Sequence, residues 1–269
     1  MKKVIGLLTA VGLLTAPLAN AETVTVSGST SVAHVMEVLA ENYQNKAQKS
    51  VEVQSTGSSA GIRAAKEGTS MLGMSSRNIK DNELNSEIKE VVIARDGIAA
   101  AVNKANPVKD LTQQQISKIY RGEITNWSEV SGEARPIVVV TRENGSGTRG
   151  AFEEIMDLQR TVNGHKVTAI TPTAQVGNGN GMIKTIVANN PYAIGYISLG
   201  SVDDSLQALS VNGVAASDEN IAAGDYHIAR PFILLVNNKP HPSAQSFVDF
   251  IMSNDGQSII AEQGYIRVQ

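Results

Sequence analysis

Hydrophobic and polar residues alternate along this chain in two rhythms, one typical of strands and the other typical of helices. Between the first two apolar runs, Val32, Met36 and Leu39 fall at spacings of four and three, which predicts an apolar stripe along a helix. Short runs rich in apolar residues predict strands at residues 24–26, 51–53, 98–102, 136–141, 193–198 and 232–236. Because strands and helices alternate, the pattern predicts an α/β fold with largely parallel sheets.

The beginning of the chain has a pattern of its own. Two lysines precede an apolar stretch, residues 4–18, which ends at Ala19-Asn20-Ala21. A membrane span needs about 20 apolar residues, whereas a basic start, a shorter apolar stretch and an A-x-A sequence are typical of a secretory signal peptide. We therefore predict a signal peptide over residues 1–21, cleavage after Ala21 and export of the remaining chain.

The composition is that of a globular protein. Of the 269 residues, 42% are hydrophobic and 18% are charged, and the formal net charge is −3. The length suffices for one large domain or two smaller ones, and the acidic balance argues against a nucleic-acid partner. Because the chain has no cysteine, a disulfide scaffold, thiolate metal ligands and a cysteine nucleophile are excluded. The four histidines lack metal-ligand spacing, so we predict neither a metal nor a cofactor.

Three predicted strand-to-helix junctions combine glycine with serine or threonine. They comprise residues 27–31, 56–61 and 144–149. A helix start carries free N–H donors and a partial positive charge, and glycine lets a ligand approach the backbone closely. Serine and threonine also cap helices where no ligand binds. Since all three junctions follow the carboxyl ends of strands, where ligands bind in open α/β sheets, their repetition favours an anion site.

Two further segments add polar groups to these junctions. Arg142 ends the strand before the third junction, four residues ahead of Ser146. Its planar donor fork suits a tetrahedral oxyanion, and a surface ion pair with Glu143 is the alternative. Residues 71–77 predict a buried strand that delivers two serine hydroxyls and an arginine.

One glycine motif suggests a nucleotide ligand. Residues 145–150 match the G-x-G-x-x-G fingerprint of dinucleotide sites. The acidic residue expected about 20 positions later is absent, because residues 158–202 contain neither aspartate nor glutamate. The sequence therefore argues against a dinucleotide.

Another motif suggests an enzyme. Residues 57–61 match the G-x-S-x-G nucleophile elbow of α/β hydrolases, with Ser59 as the nucleophile. The remaining members of a catalytic triad would follow in chain order as Asp203 or Asp225 and then His227 or His241. The preceding strand is short for a central hydrolase strand, and so brief a pattern arises readily by chance in a chain with 23 glycines. A serine esterase remains the alternative from a different class of function.

Taken in order, these motifs resemble those of the periplasmic phosphate-binding proteins of phosphate-specific ABC transporters, in the shorter form of that family. The resemblance covers nearly all of the chain after residue 21 and rests on residues 28–31, 57–61, 72–77, 111–127, 142–149 and 193–196. Its most specific part is the sequence R-x-x-G-S-G-T, which runs from Arg142 to Thr148.

The resemblance implies a type II periplasmic-binding fold, in which two α/β lobes are joined by two crossing strands and close on a ligand in the cleft between them. The first two junctions must then face the third across that cleft. We accordingly expect lobe one to comprise residues 22–102 and 200–269, and lobe two to comprise residues 103–199.

The function implied by the resemblance is that of a periplasmic, high-affinity receptor for inorganic phosphate. Such a receptor delivers phosphate to the membrane permease subunits of an ABC transporter, works as a monomer and is not an enzyme. A sulfate or molybdate receptor of the same fold is the alternative within this class. The phosphate-binding residues that the resemblance implies are Thr30, Ser31, Ser58, Ser76, Arg142, Ser146, Gly147 and Thr148.

The sequence departs from the family at the Thr-Phe pair of its longer members, which is Thr30-Ser31 here, and at a second place that matters more. Many members carry an aspartate after the G-x-S of the third strand, which accepts the proton of monohydrogen phosphate and repels sulfate, whereas here Ser76 is followed by Arg77. We therefore expect a hydroxyl such as that of Ser76, or a carbonyl, to accept the phosphate proton, with Glu143 as an alternative acceptor. A hydroxyl can rotate to donate to sulfate, so discrimination against sulfate is expected to be modest.

Overall fold

The structure is a computed structural model that describes residues 23–268. The predicted signal peptide and its cleavage site lie outside the described residues. Among residues 23–268, none of the helices is both long enough and apolar enough to cross a membrane.

Strands and helices alternate through most of the chain, as the hydrophobic pattern predicts. The strands are β1 (Val24–Gly28), β2 (Val51–Ser55), β3 (Leu72–Ser75), β4 (Ile88–Asn103), β5 (Asp110–Leu111), β6 (Val138–Arg142), β7 (Gln159–Val162), β8 (His165–Thr168), β9 (Gln175–Gly177), β10 (Ala193–Ser198), β11 (Leu206–Ala208), β12 (Ser210–Val211), β13 (Ala229–Asn237) and β14 (Ile266–Arg267). The helices are α1 (Thr30–Ala47), α2 (Ser58–Glu67), α3 (Gln113–Arg121), α4 (Gly147–Ile155), α5 (Gly179–Ala188), α6 (Asp218–Ala223), α7 (Pro242–Met252) and α8 (Asn254–Glu262).

One curled sheet runs through the molecule in the order β2-β1-β3-β13-β4-β10-β6-β9. Strands β1, β2 and β3 are parallel, and so are β6, β9 and β10, as expected for an α/β fold. The long strand β4 pairs antiparallel with β13 over residues 88–97 and then with β10 over residues 98–102. Strand β4 therefore leads the chain from one half of the molecule into the other, and β13 leads it back.

Two large apolar cores flank this crossing. The first joins α1, β1, β3 and the segment 232–265, with Met36, Leu39 and Phe247 fully buried. The second begins at Ile98 and includes Tyr120, Phe152 and Tyr196. The mixed α/β fold with two lobes is thus confirmed.

The composition of the second core indicates where one lobe ends and the other begins. Leu209, Ile221 and Ile228 pack in the second core, together with the core residues of the segment 108–196. Residues beyond 200 that were expected in lobe one therefore pack largely with lobe two up to Ile228. We propose that the chain crosses between the lobes near residues 96 and 230; the exact boundaries stay a prediction.

Candidate anion site

The three glycine and hydroxyl junctions meet at the centre of the molecule. Ser29 caps α1 by accepting hydrogen bonds from the backbone N–H groups of Ser31 and Val32. The hydroxyls of Ser31 and Thr148, which lie in the first turns of α1 and α4, are 2.9 Å apart. The start of α2 joins them, because the backbone N–H of Ser59 donates to the carbonyl of Gly145 at 3.1 Å. Three helix N-termini therefore converge, which concentrates free donors and partial positive charge in one place.

Gly147 shows how closely the junctions approach one another. A Cβ atom at this position would lie 2.6 Å from Ser76 Oγ and still closer to Ser58 Oγ. Ser58 Oγ in turn accepts a hydrogen bond from the backbone N–H of Ser76 at 3.1 Å. The first residue of α4 must therefore be glycine for the backbone to reach these two hydroxyls.

Arg142 enters the same region from the end of β6. Its side chain is 1% exposed, with Nη2 donating to Thr30 Oγ1 at 3.0 Å and Nη1 donating to Asn180 Oδ1 at 2.9 Å. It also pairs with Glu143 through Nε and Nη2, each at 2.8 Å. The ion pair with Glu143 is thus present, but it is buried and not on the surface, and the same guanidinium also contacts Thr30 and Asn180. That Arg142 binds an anion stays a prediction.

Glu143 stays ionised beside this arginine. Burial alone would raise the pKa of Glu143, but the hydrogen bonds and charge of Arg142, with the backbone N–H of Gly179, hold the pKa below its usual value. Both carboxylate oxygens already accept hydrogen bonds from these groups. Glu143 is therefore poorly placed to accept a proton from a ligand.

All eight sequence-predicted site residues lie in or beside this cluster. Seven of them are buried and Thr30 is partly exposed. The set comprises Thr30, Ser31, Ser58, Ser76, Arg142, Ser146, Gly147 and Thr148. The hydroxyl of Ser146 caps α4 by accepting from the backbone N–H of Arg149, so this serine orients the helix start. That these residues bind a ligand stays a prediction.

Arg77 does not join the cluster. Its guanidinium pairs with both carboxylate oxygens of Glu83 at 2.7 Å and donates to Ser59 Oγ at 3.1 Å. The arginine after Ser76 therefore points towards the edge of the cleft.

Sequence reasoning missed Asn180 near the start of α5. Its amide group accepts from Arg142 and donates to Ser31 Oγ at 3.1 Å, so it links the two elements across the cleft. A signal was present, since residues 177–181 form another run of glycine and asparagine between a strand and a helix.

Sequence reasoning also missed a buried ion pair, Arg230 with Asp96, whose arginine contacts the hydroxyls of Ser31 and Ser76. Arg230 Nη2 lies 2.8 Å from Asp96 Oδ2, and both side chains are at most 1% exposed. Complete burial raises the pKa of Asp96, and the charge and hydrogen bonds of Arg230 oppose that rise. The two residues face each other in the register of β4 and β13, at the point where these strands cross between the lobes.

The charges of the cleft balance in pairs. Arg142 is matched by Glu143 and Arg230 by Asp96, so these four side chains carry no net charge. An anion in this region would therefore gain little from net charge and would depend on oriented donors, namely hydroxyls, helix N–H groups and the N–H donor of Arg142 that these contacts leave over.

Three of the residues proposed for an esterase, Ser59, Asp203 and His241, have other contacts. The donor to Ser59 Oγ is the guanidinium of Arg77, which cannot accept a proton from a nucleophile. Asp203 is bound to Lys184 at 2.7 Å, and His241 caps α7 by accepting from the backbone N–H of Ser243. These contacts give Ser59 no support as a nucleophile.

Known proteins are similar to this chain along almost its whole length. Residues 15–255 match the model of a family described as the PBP superfamily domain. A phosphate-binding protein PstS of Borreliella burgdorferi is 30% identical over 257 residues, which is 93% of this chain and 91% of that protein. The PstS of Bacillus subtilis is 32% identical over 251 residues, covering 91% of this chain and 80% of the relative. This chain belongs to the PstS family of phosphate-binding proteins.

Solved structures agree with this assignment. An ABC transporter substrate-binding protein of Clostridium perfringens, crystallised with bound phosphate, is 48% identical with a TM-score of 0.87, over 92% of this chain and 100% of that one. An ABC-type phosphate transport receptor from Vibrio cholerae is 42% identical with a TM-score of 0.77, over 91% of this chain and 100% of that one. Both comparisons support the two-lobed α/β architecture.

Proposed function

We propose that this PstS-family protein is a high-affinity receptor for inorganic phosphate that delivers it to the membrane permease subunits of an ABC transporter. The observation that carries the proposal is the convergence of three helix N-termini on Ser31, Ser58 and Thr148, with Arg142 beside them. The names of the PstS relatives and the phosphate bound in the Clostridium perfringens structure support phosphate as the ligand.

A tetrahedral oxyanion between the junctions accepts hydrogen bonds from both sides of the cleft. The Ser31 and Thr148 hydroxyls, which contact each other at 2.9 Å, turn their donors to the ligand. Arg142 uses four of its five N–H donors on Glu143, Thr30 and Asn180, which leaves one for an oxygen of the anion. In this proposal Ser58, Ser146 and Gly147 supply or orient the remaining donors at the starts of α2 and α4.

Binding alone is the proposed activity, without a chemical step. The relatives are named as binding proteins, and Ser59 meets a guanidinium where a nucleophile requires a base. We further propose that the protein is exported to the periplasm by its predicted signal peptide and works there as a monomer.

Titration calorimetry separates these assignments. The protein lacking residues 1–21 is titrated with phosphate, sulfate and molybdate in turn, and its turnover of generic esters is measured in parallel. Tightest binding of phosphate with one anion per chain and no ester turnover supports the proposal. Tighter binding of sulfate or molybdate, or ester turnover abolished by Ser59→Ala, would assign one of the alternatives.

A further inference from the structure

Arg230 lies outside the three junctions, at the beginning of β13, yet its side chain contacts two of the proposed ligand hydroxyls. Nη2 donates to Ser31 Oγ at 3.1 Å. Nη1 donates to the carbonyl of Ser76 at 3.2 Å and to Ser76 Oγ at 3.3 Å. Ser31 belongs to the first junction and Ser76 directly follows β3, so one arginine bridges two parts of the cleft.

The five N–H donors of Arg230 are all engaged. Besides the three contacts to the two serines, Nε and Nη2 donate to Asp96 Oδ2 at 3.2 and 2.8 Å. A guanidinium has five N–H donors and no acceptor. Arg230 therefore has no donor left for a ligand and acts on the cleft through Ser31 and Ser76.

The contacts of Ser31 determine the direction of its own hydrogen bond. Its oxygen accepts from Arg230 Nη2 and from Asn180 Nδ2, each at 3.1 Å. A hydroxyl has two acceptor lone pairs and one donor, so both lone pairs are occupied. The Ser31 hydrogen must point to Thr148 Oγ1, or to an anion between the two hydroxyls.

The same count applies to Ser76. Its oxygen accepts from Ser29 Oγ at 2.8 Å and from Arg230 Nη1 at 3.3 Å, which again occupies both lone pairs. The contacts of the described residues show no acceptor for the Ser76 hydrogen, although the side chain is fully buried. This hydrogen is available to a ligand beside Gly147.

We propose that Arg230 is a positioning residue that makes Ser31 and Ser76 obligate hydrogen-bond donors and thereby sets the anion selectivity of the cleft. The inference rests on the proposed phosphate function. While Arg230 donates to Ser76 Oγ, this hydroxyl has no lone pair left to accept the proton of monohydrogen phosphate. Ser76 therefore acts as a donor and not as the acceptor that the sequence led us to expect. Ser31 and Ser76 then favour unprotonated oxygens, which sulfate offers as well as phosphate does.

Asp96 keeps Arg230 in this orientation. Its Oδ2 binds two guanidinium nitrogens and also accepts from Ser198 Oγ at 2.9 Å. Removing Arg230 alone would leave a buried, unpaired carboxylate, which is strongly destabilising. A test of Arg230 must therefore neutralise both members of the pair.

The first experiment compares the Arg230→Gln/Asp96→Asn double variant with the wild type by calorimetric titration with phosphate and with sulfate. The double variant frees a lone pair on each serine, so Ser76 can accept the phosphate proton. We expect both anions to bind more weakly and the phosphate-to-sulfate affinity ratio to rise about tenfold. The matched control, Arg149→Gln/Glu153→Gln, removes an ion pair in α4 and is expected to leave the ratio unchanged.

The second experiment uses Ser76→Ala, a small change that keeps the buried ion pair. If Ser76 donates to both anions, this variant weakens phosphate and sulfate equally and the ratio stays within about twofold of the wild type. If Ser76 accepts the phosphate proton, phosphate binding weakens while sulfate binding improves, and the ratio falls.

The affinity ratios of the variants test the role of Arg230, whereas phosphate binding by the wild type tests the proposed function. A falling ratio in Ser76→Ala, or equal weakening of both anions in a folded double variant, overturns the role of Arg230 while phosphate binding by the wild type stands. Absence of phosphate binding in the wild type overturns the proposed function itself. Should the double variant fail to fold, the Ser76→Ala ratio alone decides between a donor and an acceptor role.

Discussion

Arg142 and Arg230 are two buried arginines that orient the groups around the proposed anion site without adding net charge to it. Each is almost fully buried and each is paired with a carboxylate. Burying an unpaired guanidinium would cost several kcal/mol of folding free energy, and the paired carboxylates offset this cost. The attraction for a dianion then comes from oriented donors, which suits an acidic protein that has to bind an anion.

Substitutions of Arg142, just before the third junction, and of Arg149, within it, are expected to have different effects. Arg142→Ala removes a charge-assisted donor of about 1.5 to 3 kcal/mol, so phosphate affinity should fall about 10- to 100-fold. Arg149→Ala should have a small effect, because Arg149 contacts Glu153 and the carbonyl of Arg142. Calorimetry on both variants, with thermal melting to verify folding, measures the difference. Equal, small losses would mean that the anion lies elsewhere.

The lowered pKa of Glu143 predicts how the free energy of unfolding changes with pH. Burial would raise its pKa, yet Arg142 and Gly179 hold the pKa below the usual 4.5. A carboxylate with a lowered folded pKa stabilises the fold above its unfolded pKa, and this contribution is lost as the pH falls through the folded value.

Urea unfolding as a function of pH tests this contribution. Glu143→Gln should be less stable than the wild type at pH 7, and the difference should shrink below a pH of about 4. Glu41→Gln, on the exposed face of α1, should follow the wild-type curve. If the free energies of unfolding of Glu143→Gln and the wild type differ by the same amount at every pH, the Glu143 carboxylate makes no pH-dependent contribution to stability.

At the scale of the elements, the proposed anion site forms where the N-termini of α1, α2 and α4 meet. Periodicity predicted α1, and the glycine and hydroxyl junctions predicted the helix starts that the structure brings together. Only residues 98–102 of β4 were predicted, whereas the strand itself has 16 residues. Its first half is harder to recognise because the charged residues Lys89, Glu90, Arg95 and Asp96 interrupt the apolar pattern. The Arg230 and Asp96 pair had no local signal, since its members are 134 residues apart and meet only through sheet register.

Gly147→Ala tests the close approach of α4. A Cβ atom would collide with Ser58 Oγ and Ser76 Oγ, although alanine is a better helix former than glycine. We expect the variant to fold normally and to bind phosphate at least about tenfold more weakly, because the junctions cannot close.

Gly181→Ala is the matched control in α5, where a Cβ atom meets no other atom within 4 Å. It should bind phosphate as the wild type does. Unchanged binding in Gly147→Ala would mean that ligand binding does not need α4 to approach the two serines.

At the scale of the whole molecule, β4 and β13 connect two apolar cores, and the proposed site lies where these strands cross. Two separate cores linked by two strands suit a hinge, because each lobe can move without exposing its interior. Predicting the fold class from sequence succeeded because alternating elements and repeated junctions are local signals. The lobe boundaries depend on long-range packing, such as that of Ile221 and Ile228, which no local pattern reveals.

Small-angle scattering tests the hinge. Phosphate should decrease the radius of gyration of the protein lacking residues 1–21, because the lobes close on the anion. Gly147→Ala should show a smaller decrease at the same saturation. An unchanged radius of gyration at saturating phosphate would be incompatible with hinged closure.

The most direct test of the central claim is the identity of the anion that the native protein retains. The protein is purified without added phosphate and denatured, and the released anions are quantified by ion chromatography. A high-affinity phosphate receptor should release about one phosphate per chain. Stoichiometric release of a different anion, or phosphate-free protein that takes up no phosphate on dialysis against it, would contradict the account.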